Sequence, residues 1–311
     1  MSVILRTSVP ILLLIFFGYL SRRYDILREG DERVLTSYIY YFALPSLFFI
    51  YIYEVNFSRE TLTYVFAGII PIIITLAFFA LIFLFKIIKD KHTLYLLIVV
   101  TVFGSLAFFG IPFIIFAFGS AEAERLAALS ASTISFVSVI TATAVLELYK
   151  LEGENGSKIK TLSKRFSKNP LILSTLLGLF INLVGLNIPI FLSTALHMLG
   201  STTATVAIFM LGLFFYGRHY GNLKTAFGLS LLRILFLPLV AVVILKFFYV
   251  VPSFESIIIV LMHGMPIAVS TIVLSERYGF FKETIASLNL ISSLLSVFYL
   301  NLWLYILQYI F

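Results

Sequence analysis

The sequence predicts a polytopic α-helical membrane protein. Of its 311 residues, 61% are hydrophobic and only 12% are charged, whereas soluble domains are about half apolar and about a quarter charged. The apolar residues form ten runs of about 20 residues, the length that a helix needs to cross a bilayer. Loops rich in Lys and Arg alternate with loops that contain few, as in proteins that cross a membrane repeatedly.

The ten runs follow one another along almost the whole chain. They are too long and too irregular in hydrophobic pattern for membrane strands. Their bounds are Val3–Leu20, Val34–Tyr53, Leu62–Phe85, Thr93–Phe118, Leu126–Tyr149, Pro170–Leu186, Phe191–Tyr216, Asn222–Phe248, Ile257–Tyr278 and Ile285–Ile310. The first run has no small-residue cleavage site and a second run follows soon after, so we interpret it as a retained helix.

The basic residues predict how the runs are oriented. If the N-terminus lies outside, the inner loops contain 17 Lys and Arg, the outer segments contain four, and Arg233 lies inside a run. Cytoplasmic loops are enriched in basic residues, so we expect a multi-pass protein of the cytoplasmic membrane with both termini outside the cytoplasm. This topology accounts for the net charge of +7, and we expect contact with membrane lipid and no nucleic acid partner.

A polar segment, 150–169, divides the chain into two sets of five runs, 1–149 and 170–311. Its glycines and hydroxyl residues are typical of a flexible cytoplasmic linker. Because five is an odd number, a second half with the same fold enters the membrane from the opposite side. Inverted repeats of this kind are common in secondary transporters, with the substrate near the middle of the membrane. We therefore predict two inverted five-helix repeats.

Two Gly-x-Pro motifs, Gly110–Pro112 and Gly264–Pro266, occur at matching positions in the fourth and ninth runs. Proline lacks an N–H and its ring crowds the preceding turn, so we expect each proline to kink or break its helix there and to free the carbonyls near Phe108 and Met262. The alternative is a plain packing kink, which is common in membrane helices. Helix breaks must face protein or a watery cavity. The half-helix after each break presents free N–H groups that suit an anion. We predict a crossover at the substrate site.

The sequence resembles the auxin efflux carrier family over nearly its full length. The resemblance rests on short segments in the family's order and spacing: Leu44-Pro45-Ser46-Leu47-Phe48-Phe49, Gly110-Ile111-Pro112, Asn169-Pro170-Leu171-Ile172, Met265-Pro266-Ile267-Ala268-Val269 and Glu276-Arg277-Tyr278-Gly279. The resemblance implies ten helices in two inverted repeats, with broken and crossing helices 4 and 9. This fold is similar to that of bile acid symporters and sodium–proton antiporters.

The resemblance also implies transport of a small organic anion such as auxin, malate or malonate. Helices 1, 2, 6 and 7 would form a scaffold, through which related folds often form homodimers. Helices 3–5 and 8–10 would form a transport domain that moves in an elevator-type cycle. Two positions depart from the family pattern: Ser105 stands where Asn is common, seven residues before the first crossover proline, and Thr205 stands where Pro is common. The first departure alters the polar character of the expected substrate site.

The candidate substrate-binding residues lie on or near the two expected breaks. They are Ser105, Gly110, Pro112, His263, Gly264, Pro266, Ser270 and Asn289. Ionisable groups inside membrane helices are usually functional, and His263 could link transport to pH. The alternative for His263 is a neutral imidazole bonded to a freed carbonyl. The Ser and Asn side chains could also bond their own helix backbone without any role in binding.

Arg233 and Glu276 are predicted to have structural or gating roles. Arg233 lies about 16 Å along its helix, as calculated from the helical rise, and an unpaired charge there is costly. We favour a structural role for Arg233 as a donor to freed carbonyls over direct anion binding. Glu276 lies near an inner helix end and is a candidate gate residue, whereas we interpret Glu147 and His197 as structural.

The sequence has no pattern of an intramembrane enzyme, so we predict no catalytic residues. All three Asp lie in loops and Cys is absent. No His-Glu-x-x-His zinc motif and no Gly-x-Ser-x-Gly nucleophile elbow occurs. We expect no metal and no organic cofactor. The sequence does not decide whether transport is coupled to Na⁺ or to H⁺. A sodium- or proton-coupled symporter for another organic solute is one alternative function, and a channel is another.

Overall fold

The computed structural model describes residues 3–55, 58–150, 167–217, 220–247 and 251–311. Within these ranges every regular element is a helix, and the single extended pairing is an isolated antiparallel bridge between Gly104 and Ile267. Residues 151–166, which make up most of the predicted linker 150–169, lie outside the described residues. The prediction of a flexible linker therefore stays a prediction.

The helices of the first half coincide with the first five predicted runs. They are α1 Val3–Arg23, α2 Asp31–Tyr38, α3 Leu44–Tyr53, α4 Arg59–Leu84, α5 Lys91–Val102, α6 Ile111–Phe118 and α7 Ala121–Lys150. A π-helical turn, Ile39–Ala43, joins α2 to α3, and a second one, Leu106–Gly110, leads into α6. The second and fourth predicted runs therefore each contain more than one helix.

The helices of the second half overlap the other five predicted runs. They are α8 Pro170–Val184, α9 Ile190–Phe215, α10 Leu223–Leu231, α11 Leu237–Phe247, α12 Ser253–His263, α13 Ser270–Tyr278 and α14 Lys282–Ile310. A third π-helical turn, Leu232–Phe236, joins α10 to α11. The ninth predicted run is divided between α12 and α13.

Six helices of the described chain are long and apolar enough to cross a membrane. They are α2 with α3, α4, α7, α9, α10 with α11, and α14, while α5, α6 with its π-helical turn, α8 and α12 are shorter apolar helices. The prediction of an all-α protein is thus confirmed for the described residues, and six of its helices are candidate membrane spans. The count of ten spans and the inverted repeat stay predictions.

Side chains that accept hydrogen bonds begin several of these helices. Ser58, Asp90 and Asn169 each accept from a backbone N–H in the first turn of α4, α5 and α8, which satisfies donors that a helix start leaves free. The hydroxyl and N–H of Thr93 hold the pKa of the Asp90 carboxyl below its usual range. The starts of α5 and α8 are therefore fixed locally by the sequence.

A proline follows each π-helical turn after one intervening residue. Pro45, Pro112 and Pro238 are the second residues of α3, α6 and α11. A proline ring crowds the preceding turn and leaves the carbonyl four residues earlier without a donor. A π-turn shifts the hydrogen bonds by one residue and widens the helix locally. The chain therefore stays helical on both sides of these three prolines.

The described chain divides into two compact units. The smaller unit comprises Val9–Phe57 and Gly156–Arg218, and so contains most of α1 with α2, α3, α8 and α9. The larger unit comprises Met1–Ser8, Ser58–Asn155 and His219–Phe311, and so contains α4–α7 and α10–α14. The predicted scaffold and transport domains use the same helices, and their mechanical roles stay predictions.

Close helix contacts and polar bridges hold the smaller unit together. A Cβ atom on Gly18 of α1 would overlap the carbonyl oxygen of Phe209 in α9, and small residues permit such close approach in membrane helix pairs. The ring nitrogen Nε2 of His197 lies 2.7 Å from the Glu54 carboxylate. This contact is consistent with a structural interpretation of His197.

Candidate functional site

Two interruptions of helical structure meet inside the larger unit. The first separates the end of α5 from the π-helical turn that begins at Leu106, and the second separates α12 from α13. The backbone N–H of Ser105 donates to the Pro266 carbonyl at 2.8 Å, and that of Ala268 donates to the Phe103 carbonyl at 2.9 Å. We call this paired segment, residues 103–105 with 264–269, the crossover.

The structure corrects the predicted position of the first break. Pro112 is the second residue of α6, and Gly110 is the last residue of the π-helical turn before it, so the helix does not break at the first Gly-x-Pro motif. The break lies earlier, at residues 103–105. The π-turn accommodates the proline ring, whereas the true break is set by partners far away in the sequence. The second break includes Pro266, as the sequence predicted.

Arg233 bridges both breaks from the π-helical turn between α10 and α11. Its side chain is buried, and Nε donates to the Met265 carbonyl at 2.8 Å. Nη1 donates to the carbonyls of Thr101 at 2.7 Å and Val102 at 3.3 Å, and Nη2 lies 3.5 Å from the Met262 carbonyl. Thr101, Val102 and Met262 lie in the last turns of α5 and α12, where carbonyls lack intrahelical donors, and Met265 lies in the second break. The guanidinium thus satisfies backbone groups of both interrupted helices at once.

Gly104 makes room for this arrangement. A Cβ atom at position 104 would overlap the guanidinium group of Arg233, so any larger residue would displace the arginine from the crossover. A Gly-Ser pair is a common site of helix distortion, and Gly104-Ser105 is such a pair. The sequence analysis did not select Gly104, although this local signal was present.

His263 ends α12 at the second break and is buried. Its Nε2 lies 2.9 Å from the Gly68 carbonyl in α4. Because a carbonyl only accepts hydrogen bonds, Nε2 is the protonated nitrogen in this arrangement. Among the described residues, Nδ1 has no hydrogen-bond partner. One side of the imidazole is therefore tied to the helix bundle and the other is available.

Side chains from α14 support the second break. The Nδ2 of Asn289 donates to Thr271 Oγ1 at 2.9 Å and to the carbonyl of Ile285 at 3.1 Å. The Ile267 N–H lies 3.4 Å from Ser292 Oγ. The Asn289 Oδ1 has no partner among the described residues. Asn289 therefore links α14 to α13 with its amide nitrogen and leaves a buried acceptor free.

Several buried polar atoms at the crossover lack hydrogen-bond partners in the described part of the chain. They are Thr101 Oγ1, Ser105 Oγ, His263 Nδ1 and Asn289 Oδ1, and each side chain is at most 2% exposed. Most buried polar groups in proteins are hydrogen-bonded, so unpartnered ones require an explanation such as a ligand, an ion or water. The set offers both donors and acceptors to a small polar ligand.

The structure places the other predicted site residues around this set. Gly110 faces Met262 and Met265, since a Cβ atom on Gly110 would contact both side chains. Gly264 caps α12, and Ser270 begins α13 with a half-buried side chain. Pro112 lies outside both breaks. The role predicted for Glu276 concerns a side chain outside the described residues.

Glu147 was interpreted as structural, and its position at the end of α7 is consistent with that role. The carboxylate is buried and accepts a hydrogen bond from the hydroxyl of Tyr278 in α13. No group of three His, Cys, Asp or Glu side chains that could hold a metal ion occurs within the described ranges.

Comparison with known proteins gives a consistent result. A profile of a family described as membrane transport protein matches residues 3–304. The uncharacterized transporter MJ1031 of Methanocaldococcus jannaschii is 25% identical over 311 residues, which is 96% of each chain. The uncharacterized transporter YfdV of Escherichia coli K12 is 26% identical over 313 residues, again 96% of each chain.

Proposed function

The chain belongs to the membrane transport protein family, the auxin efflux carrier-like group of membrane transporters, and on that premise we propose that it carries a small organic anion across the cytoplasmic membrane. Carboxylates such as malate, malonate or an auxin-like molecule are the proposed cargo. The family assignment points to transport and not to catalysis. The protein is accordingly a multi-pass membrane transporter, and its cargo is the first subject of experiment.

The crossover is the observation that carries this proposal. It combines interrupted helices, a buried arginine and unpartnered polar atoms in one region of the larger unit. The half-helices that follow the breaks begin with N–H groups and the positive end of a helix dipole. Anions bind well at such helix starts, and discontinuous helices form the substrate sites of many transporters.

The mechanism that we propose is an elevator cycle. The larger unit, which holds the crossover, would move as the transport domain, and the smaller unit would stay in place as the scaffold. The division of the described chain into two compact units supports this assignment. The smaller unit exposes large apolar side chains, including Phe180, Ile190 and Phe191, which suits contact with lipid and with a second scaffold in a homodimer.

Coupling to Na⁺ or H⁺ is the principal alternative within transport. The oxygen atoms of Thr101, Ser105 and Asn289 are acceptors that a hard cation such as Na⁺ can use. The free Nδ1 of His263 is a proton acceptor instead. A channel would use the same polar groups, but it would conduct without saturation. One reconstitution experiment can separate these functions.

Proteoliposomes containing the purified protein should exchange a radiolabelled carboxylate for the same unlabelled carboxylate. We expect saturable counterflow of at least one of malonate, malate and indole-3-acetate, measured with and without Na⁺ and at several pH values. Exchange that requires a cation gradient would support the symporter. Ohmic current without counterflow, or no response to any carboxylate, would contradict the proposal.

Two variants connect the transport activity to the crossover. Ser105→Ala and Asn289→Ala each remove an unpartnered buried oxygen, and a hydrogen bond to a charged group contributes about 1.5–3 kcal/mol. We expect each variant to raise the half-saturation concentration about tenfold or more. Ser21→Ala is the matched control, because the Ser21 hydroxyl only donates to its own helix at the Phe17 carbonyl. Unchanged half-saturation in both crossover variants would place the substrate elsewhere.

A further inference from the structure

Among the described residues, no acidic side chain balances the buried charge of Arg233. All four of its hydrogen-bond acceptors are backbone carbonyls. In the part of the chain that the structure describes, no carboxylate oxygen lies within ion-pair distance of its guanidinium. A charge in the membrane interior is costly unless it is paired or hydrated. Neutral donors could satisfy these carbonyls at a lower free-energy cost, so the positive charge of Arg233 requires a functional explanation.

The charge lies at the centre of the crossover. The guanidinium group is packed against the backbone of Gly104, so closely that it occupies the space of a Cβ atom. Gly104 directly precedes Ser105, whose hydroxyl is buried and unpartnered. His263 directly follows Met262, whose carbonyl lies 3.5 Å from Arg233 Nη2. The positive charge of Arg233 therefore lies among the groups that would surround a ligand.

The nearest part of α14 is polar but uncharged. Trp303 Nε1 donates to the Ile234 carbonyl at 2.8 Å, which places α14 beside the residue that follows Arg233. Tyr299 lies one turn before Trp303 on the same helix, and its buried hydroxyl has no partner among the described residues. A neutral phenol therefore lies on the part of α14 that packs beside the π-helical turn of Arg233.

We propose that Arg233 determines the charge selectivity of the crossover, so that the carboxylate of the substrate supplies a counter-charge that no described side chain provides. The inference rests on the proposed function and adds the residue responsible for the preference for anions. Arg233 acts mainly through its electric field, because four backbone carbonyls already accept from its guanidinium, which has five N–H groups in all. A charge interaction decreases only with the inverse of distance and is weakly screened in a protein interior.

The test compares a carboxylate with its neutral amide. Binding of malonate and malonamide, and of indole-3-acetate and indole-3-acetamide, is measured on the purified full-length protein by equilibrium competition. We expect the wild type to prefer the carboxylate of at least one pair. Arg233→Lys keeps the charge and should keep that preference. Arg233→Gln removes the charge and should reduce the preference about tenfold, or about 1.4 kcal/mol.

Tyr299→Glu provides a second test that does not depend on folding of an Arg233 variant. The new carboxylate would balance the arginine while every hydrogen bond from Arg233 to the crossover carbonyls stays in place. We expect Tyr299→Glu to reduce the preference for the carboxylate and Tyr299→Gln to retain it. Lys246→Gln is the control for loss of a positive charge, because Lys246 lies at the far end of α11 and bonds the carbonyl of Ile310.

The outcomes separate this inference from the proposed function. A wild type that binds none of the carboxylates overturns the proposed function and the inference with it. A wild type that prefers carboxylates, together with unchanged preference in Arg233→Gln or in Tyr299→Glu, overturns the inference alone. Equal losses for the acid and the amide in Arg233→Gln would also contradict it, because a purely structural arginine predicts that result.

Discussion

Gly104 has no side chain, and the guanidinium of Arg233 occupies the space that a methyl group would fill. We expect Gly104→Ala to displace Arg233 from its carbonyl acceptors, since backbone and guanidinium cannot both stay in place. Overpacking in a buried site costs about 1–3 kcal/mol, and the lost hydrogen bonds add to that cost. The melting temperature of the purified variant and its carboxylate counterflow should both fall.

Gly228→Ala is the matched control for this substitution. Gly228 lies in α10 of the same unit, and a Cβ atom there would meet nothing within 4 Å. Alanine is favoured over glycine inside helices by about 0.5–1 kcal/mol, so this variant should melt at or above the wild-type temperature. Similar melting of the two variants would show that the crossover tolerates a side chain at position 104.

His263 holds the Gly68 carbonyl with Nε2 and leaves Nδ1 unpartnered among the described residues. We expect His263→Gln to retain uptake and thermal stability, because glutamine can donate to the same carbonyl. His263→Ala should melt at a lower temperature than His263→Gln, since it removes the donor. Uptake and the melting temperature of both variants test these expectations, and loss of uptake in a stably folded His263→Gln would contradict the first.

The next larger scale is the helix, and the π-turn before Pro238 shows how such a distortion is stabilised. Pro238 cannot supply the N–H that the Ile234 carbonyl would accept in an α-helix, and Trp303 Nε1 donates to that carbonyl instead. We expect Trp303→Phe to cost about 1–3 kcal/mol, the penalty for an unsatisfied buried carbonyl. Pro238→Ala restores a backbone N–H and should rescue part of that loss.

A double-mutant cycle on thermal stability measures this rescue. Trp303→Phe combined with Pro238→Ala should melt higher than the sum of the two single effects predicts. The volume lost on Trp303→Phe is the same in both backgrounds, so it cancels in the cycle. Strictly additive effects would mean that the Trp303 indole does not replace the N–H that Pro238 fails to supply to the Ile234 carbonyl.

The positions of the helices could be predicted from the sequence, but the position of the first break could not. The runs of apolar residues locate helices well because lipid contact favours apolar side chains over a whole span. Pro112 gave the wrong position for the first break, since a π-turn absorbs the ring. The break at 103–105 depends instead on Arg233 and Pro266, more than 100 residues away. Proline is a local signal, whereas this interruption results from tertiary contacts.

The residues of the candidate site likewise divide into those that could be predicted from the sequence and those that could not. Ser105, His263 and Asn289 were selected because they are polar residues in apolar runs, and the structure places each of them at or beside the crossover. Gly104 and Tyr299 were not selected, because their importance depends on where Arg233 lies. A glycine or a tyrosine in a membrane helix is ordinary until its neighbour is known.

For the whole molecule, the loop charges make a prediction that the helices alone do not. Both termini should lie outside the cytoplasm, with the linker 150–169 inside. Alkaline phosphatase fused after Phe311 should be active in Escherichia coli, and green fluorescent protein at that site should stay dark. The same two reporters inserted after Gly156 should give the opposite result. Fluorescence at the C-terminus would require an odd number of spans or the reverse orientation.

The bridge from Arg233 to Thr101 also bears on biosynthesis. The two residues are 132 positions apart, so at about 5–20 residues per second the Thr101 and Val102 carbonyls await their donor for roughly 7–26 s of translation. During that interval the nascent first half holds an interrupted helix with unsatisfied carbonyls. We therefore expect chaperone or translocon contacts to α5 to persist until the π-helical turn that carries Arg233 has entered the membrane.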